Sequence, residues 1–152
     1  MATVAFPTLI TNMIAALNGA ASLTGVRVFD GPEIDETYPG DAIAVGHDGS
    51  EDGDLQAMTA RNSYDQLGAK KMFEDGVINC SLWAWDGTTD LTARRVRAYA
   101  ILSAVDTVIR LDPSFSSACL YSGLENHSAV YRQTNAGAVV IINFTIAYRA
   151  RT

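Results

Sequence analysis

"YDQLGAKKMFEDGVINCSLWAWDG", Tyr64 to Gly87, holds the strongest local signal in the chain, the Asp75-Gly76 pair at its centre. Both residue types tolerate positive φ, so the pair reads as a two-residue hairpin turn. Such a turn sets Glu74 opposite Val77, Phe73 opposite Ile78 and Lys71 opposite Cys80. Further out it sets Ala69 opposite Leu82 and Leu67 opposite Ala84. These residues form one mostly apolar face, expected to be core. The other face carries Val77, Asn79, Ser81, Trp83 and Trp85, with Met72, Lys70 and Gly68 across from them. The two tryptophans either pack beneath another element, in a sheet buried on both faces, or meet a partner.

Downstream lies "DGTTDLTARRVRAYAILSAVDTVIRLDP", in which Thr88, Thr89 and Asp90 are all suitable helix N-caps. Leu91, Ala98, Ile101, Leu102, Val105, Val108 and Ile109 recur at helical spacing, an apolar stripe of about six turns. Arg94, Arg95 and Arg97 lie mainly off that stripe, as a solvated face, an intersubunit ion-pairing face or a phosphate site. Asp112-Pro113 ends the helix. The C-terminal part reads as two strands around an Asn135-Ala136-Gly137 turn. In the last strand Val140, Ile142, Phe144, Ile146 and Tyr148 alternate with more polar neighbours, so the even positions are the buried face.

Upstream, "PTLITNMIAALN" (7–18) opens on a proline suited to a first helical turn and repeats Leu9, Ile10, Met13, Ile14 and Leu17 along one face. "GVRVFDGPE" and "DAIAVG" read as two short strands. The expected architecture is one α+β domain over residues 1–152. It is an antiparallel sheet with two long hairpins, packed on one face by the short N-terminal helix and the long central one.

"GHDGSEDGDL", Gly46 to Leu55, joins the second strand to the long hairpin and sets Asp48, Glu51, Asp52 and Asp54 among three glycines. Asp48, Ser50, Asp52 and Gly53 superficially follow a calcium loop, but its twelfth position, where a bidentate glutamate belongs, is Thr59. An irregular cation site or a solvated connector remain as readings. His47 and His127 are the only histidines. There is no histidine or cysteine spacing suited to zinc, no nucleophile elbow and no phosphate-binding glycine loop, so neither an enzyme nor a bound metal or cofactor is expected. His127 reads as a strand or bulge surface residue, and Cys80 and Cys119, inside apolar stretches, as buried free thiols. A net charge of −6 argues against ordinary nucleic-acid binding, which needs cations to displace counterions from phosphate. No run of about 18 apolar residues is present, so no spanning helix is expected. The N-terminus lacks a signal-peptide pattern, which makes a reducing cytosol the expected site of synthesis.

The ordered series of N-terminal helix, "VRVFDGPE", the segment ending "LWAWDGTTD", the arginine-bearing helix closing on "LDPSF" and "YRQTNAGAVVIINFTIAYRA" resembles the tail terminator proteins of long-tailed bacteriophages. These are also called tail completion or head–tail joining proteins. The resemblance implies a structural virion subunit that forms a hexameric ring on the tail tube and ends its polymerisation. It further implies docking to the head connector around a channel through which DNA passes without sequence-specific binding. Its partners would be its own copies, the major tail tube protein and head connector proteins, with no membrane. It would be made in the host bacterial cytoplasm and reside at the head–tail junction of the virion. On that reading Trp83, Trp85, Arg94, Arg95 and Arg97 are candidate subunit contacts. Asp48, Glu51, Asp52 and Asp54 would form an acidic loop at the lumen or a rim, where negative charge lets phosphate slide past. A tail tube subunit or head-side connector is the alternative within the same machine, and a small metal- or ligand-binding domain the alternative outside it.

Overall fold

Four strands between two helices, and two strands after them, put the apolar stripes of both helices on one side of a single sheet. The computed structural model describes residues 4–31, 40–50, 55–66, 68 and 70–152. Among these residues two α-helices, α1 (Phe6–Asn18) and α2 (Leu91–Leu111), accompany six strands. The strands are β1 (Arg27–Asp30), β2 (Ala42–Val45), β3 (Met58–Tyr64), β4 (Met72–Ala84), β5 (Tyr121–Thr134) and β6 (Gly137–Arg151). The fold is α+β, as expected, but the sheet is mixed: β1 pairs parallel to β2 and all other pairs are antiparallel. Parallel pairing requires the chain to travel back before the second strand, and the connection from Gly31 to Asp41 gives it the length to do so.

The sheet order is β1-β2-β4-β6-β5, with β3 also on β4. β2 and β3 lie end to end along the same edge of β4. Ala42–Val45 face Trp83–Cys80, and Met58–Tyr64 face Ile78–Met72. Asn79 occupies the junction. Its carbonyl accepts from the amides of Gly46 (2.8 Å) and His47 (3.0 Å), and its side-chain amide donates to the Gln56 carbonyl (2.8 Å).

Asp75-Gly76 is not a turn. Both residues lie inside β4, where Asp75 pairs with Arg149 and Arg61, and Gly76 with Tyr148 and Ala60. Gly76 lacks the positive φ that a primed turn requires. A Cβ there would sit 2.5 Å from the Tyr148 ring, so this glycine serves a close approach inside a strand. The hairpin pairs β3 with β4 instead, closing at Tyr64 opposite Met72, and the expected pairings of Glu74 with Val77 and Phe73 with Ile78 do not occur. The face assignment divides accordingly. Ile78, Cys80, Leu82 and Ala84 are core as expected, whereas Phe73 lies on the opposite face beneath the Arg149 guanidinium, 4.1 Å away. Leu67 and Ala69 fall outside the described residues.

No strand was expected at β3 (Met58–Tyr64); the two helices and the C-terminal hairpin match their sequence signals. Asp90 caps α2 by accepting from the Ala93 amide (3.1 Å), and Ala98, Ile101, Leu102, Val105 and Ile109 are its buried stripe. Leu9, Met13 and Leu17 are that of α1. Both stripes join the even-numbered residues of β4 and of β6, Val140 to Tyr148, in one core. Both helices therefore cover the same sheet face. After α2 the chain turns through Phe115, Ser116 and Ser117, all with positive φ, a costly conformation for residues with a Cβ. Its hold is visible: Phe115 is buried in the core and the Asp112 carboxyl accepts from the Ser116 amide (2.8 Å). Asn12 of α1 donates to the Phe115 carbonyl (2.9 Å).

Candidate functional site

The residues singled out as contacts gather at one end of the sheet, where β4 leaves and α2 begins. Asp41, which precedes β2, organises them. Its Oδ1 accepts from the Trp85 amide (3.2 Å) and its Oδ2 from Arg97 Nε (2.8 Å). Arg94 reaches the same carboxyl at 3.9 Å and pairs at 2.9 Å with Asp86. Hydrogen bonds from the Thr88 hydroxyl and amide hold the Asp86 carboxyl below the ordinary carboxylate range. Arg95 lies over the Tyr131 ring, 5.9 Å from its centroid. Arg94 and Arg97 are thus ion-paired within the subunit, leaving the half-exposed rims of Arg95 and Arg97 to meet anything outside.

The tryptophans divide similarly. Trp83 is 6% exposed, stacked on Phe29 (6.2 Å, 10°) in a small cluster with Ala42, Ala44 and Val139 on the helix-free face. Trp85 packs against that cluster and donates its indole N–H to the Ala136 carbonyl (3.0 Å), pinning the β5–β6 hairpin tip. The tip is fitted closely there: a Cβ on Gly137 would lie 2.8 Å from the backbone of Gly87 and Thr88. Packing therefore accounts for both indoles. Asp41, the hub, was missed in the sequence because a lone aspartate before a strand looks like any turn residue.

Of the acidic stretch, Glu51, Asp52 and Asp54 lie outside the described residues. Asp48 is a brace. Its Oδ1 accepts from the Ser50 amide (2.9 Å) and its Oδ2 from the Gln56 amide (3.0 Å), which hold its carboxyl below the usual range. His47 Nδ1 accepts from the Gly49 amide (2.9 Å), and burial lowers the imidazole's pKa against the opposing pull of Asp48. Gly49, at φ +83°, lies on the Asn143 amide so closely that a Cβ would be 2.4 Å away. Beside this contact a cavity of about 200 Å³ is lined by Asp48, Asn79, Asn126, Ser128, Asn143 and Thr145 together with Cys80, His127 and Phe144. Amides and hydroxyls of this kind can hydrogen-bond a small polar group. Among the described residues no three His, Cys, Asp or Glu side chains converge on a metal position.

A second site was also missed. Glu74, 1% exposed, accepts at Oε2 from the Ala5 amide and the Tyr148 hydroxyl, both at 3.0 Å. Ala5 is the N-cap of α1, and its own amide, a donor at the helix start with no intrahelical partner, is satisfied by this strand residue. Burial, then the neighbouring Glu74, pushes the Tyr148 phenol up. Burial likewise raises the Cys80 thiol to about 12 and the Cys119 thiol to about 11, and both are free, as expected. His127 is exposed at the β-bulge of β5, edge-on to Tyr99 at 5.9 Å.

No protein-family model matches the chain, and a search of curated proteins returned no related sequence.

Proposed function

We propose that the chain is a ring-forming structural subunit of the tail terminator type, capping a phage tail tube and offering the head-joining surface around a DNA channel. The observation that carries this reading is a sheet left open to neighbours. Among the described residues helices cover one face only, and β5, 14 residues long, ends the sheet with Val130 41% and Tyr131 48% exposed. A long outer strand with apolar side chains is a liability unless something covers it in the working state. Copies of one subunit meeting through two different surfaces generate a ring when the rotation closes. The net charge of −6 suits a wall past which phosphate must slide. No helix among the described residues is long and apolar enough to cross a membrane.

Solution mass by light scattering, free and in the presence of purified tail tubes, tests the proposal. A closed oligomer in either condition supports it, and a monomer in both overturns it. Filaments formed by the protein alone would reassign it to the tube itself.

A further inference from the structure

Charge is segregated along this chain. Residues 28–60 contain nine of the 17 acidic residues and no lysine or arginine. That leaves eleven basic and eight acidic side chains, a formal +3, for all the other residues. Folding then concentrates the cations. Arg61 and Arg149 flank Asp75 across three adjacent strands, and Arg151 pairs with Phe73 in the next row. Lys71 precedes Met72, whose backbone is bonded to Thr152, and Lys70 adjoins it in the turn. Arg149 is drawn to Asp75 (3.2 Å) and Arg151 to Asp65. Arg61, Lys70 and Lys71 are exposed and have no ion-pair partner among the described residues. Tyr121, 55% exposed and opposite Arg149, lies on the same face, while Tyr64, 71% exposed opposite Met72, marks the same end of the sheet on the other face. A cationic surface beside exposed tyrosines has the composition of an interface.

We propose that this basic, aromatic end of the sheet receives the acidic 28–60 segment of a second copy of the chain, so that successive subunits join head to tail. The proposal rests on the ring reading and supplies its two unlike surfaces. Charge complementarity of this kind sets register and encounter rate, and it excludes the pairing of like ends.

A charge-swap experiment tests it. One variant carries Arg61→Glu, Lys70→Glu and Lys71→Glu; another carries Glu51→Lys, Asp52→Lys and Asp54→Lys. Thermal midpoints establish that both fold, with the Gln versions of the first set standing in if the Glu versions do not. The association constant, read free or on tail tubes, should fall about tenfold or more for each variant alone. It should recover in an equimolar mixture, where every contact again joins opposite charges. Wild-type association should weaken as salt rises from about 50 to about 500 mM, where screening shortens the reach of each charge. Unchanged assembly of either variant, or no recovery on mixing, overturns the proposal while leaving the ring intact. A wild-type protein that is monomeric under all conditions removes the ring reading and this proposal with it. If the first variant loses binding to labelled duplex DNA but assembles normally, the patch serves nucleic acid and the proposal fails.

Discussion

Glu74 and Tyr148 form the most exacting contact in the molecule, a carboxyl oxygen sharing its lone pairs between a helix N-cap amide and a buried phenol. Tyr148→Phe removes one donor to a buried group that cannot turn to water, at a cost of about 2 kcal/mol. Paired with Glu74→Leu in a double-mutant cycle, it should show a coupling of about 1 kcal/mol or more in urea unfolding. Additive effects would contradict the assigned bond. A second residue-scale prediction concerns pH. His47 and Asp48 both titrate below their ordinary values, so each contributes stability above its unfolded pKa and loses it as pH falls through the lower folded one. The Gly49 amide, bonded to His47 Nδ1, should therefore move first in an amide NMR titration, below the ordinary histidine value of 6.5. The Ser50 and Gln56 amides should hold until below 3.8. A Gly49 transition at or above 6.5, or all three amides moving together, would contradict these contacts.

At the scale of elements, β4 decides the architecture. A hairpin at Asp75-Gly76 would have placed Phe73 in the core and ended the sheet there. A continuous strand instead lets one segment pair with β2, β3 and β6 at once. Gly76→Ala should cost about 1–3 kcal/mol, because Tyr148 is held by Glu74 and cannot swing away from the added methyl. An unchanged urea midpoint in Gly76→Ala would contradict the continuous strand. What was legible in the sequence were the strongly periodic elements: both helices, the Asp90 cap, the Asn135-Ala136 turn and the even face of β6. Local chemistry decides those. The meaning of Asp75-Gly76 depended on a tyrosine some seventy positions away, which no local pattern encodes. The parallel β1–β2 pair was illegible for the same reason. Asp41, Asn79 and Glu74 gain their roles from partners brought by other elements.

At the scale of the whole molecule, the fold is finished on one side and open on the other. The predicted contact residues Trp83, Trp85 and Arg94 serve internal packing and ion pairing, and Arg95 and Arg97 keep exposed rims. Exposed apolar groups gather instead along β5, and cations with no ion-pair partner among the described residues gather at the opposite end of β4. On the proposed reading neighbours complete such a subunit, and the tail terminator proposal gives those neighbours a geometry. The most direct measurement is tube polymerisation followed by electron microscopy, with tail tube protein elongating in the presence and absence of this chain. The account predicts tubes that stop growing and carry a ring of the protein at one end. Tubes that elongate as they do without it, bearing no cap, would contradict the account.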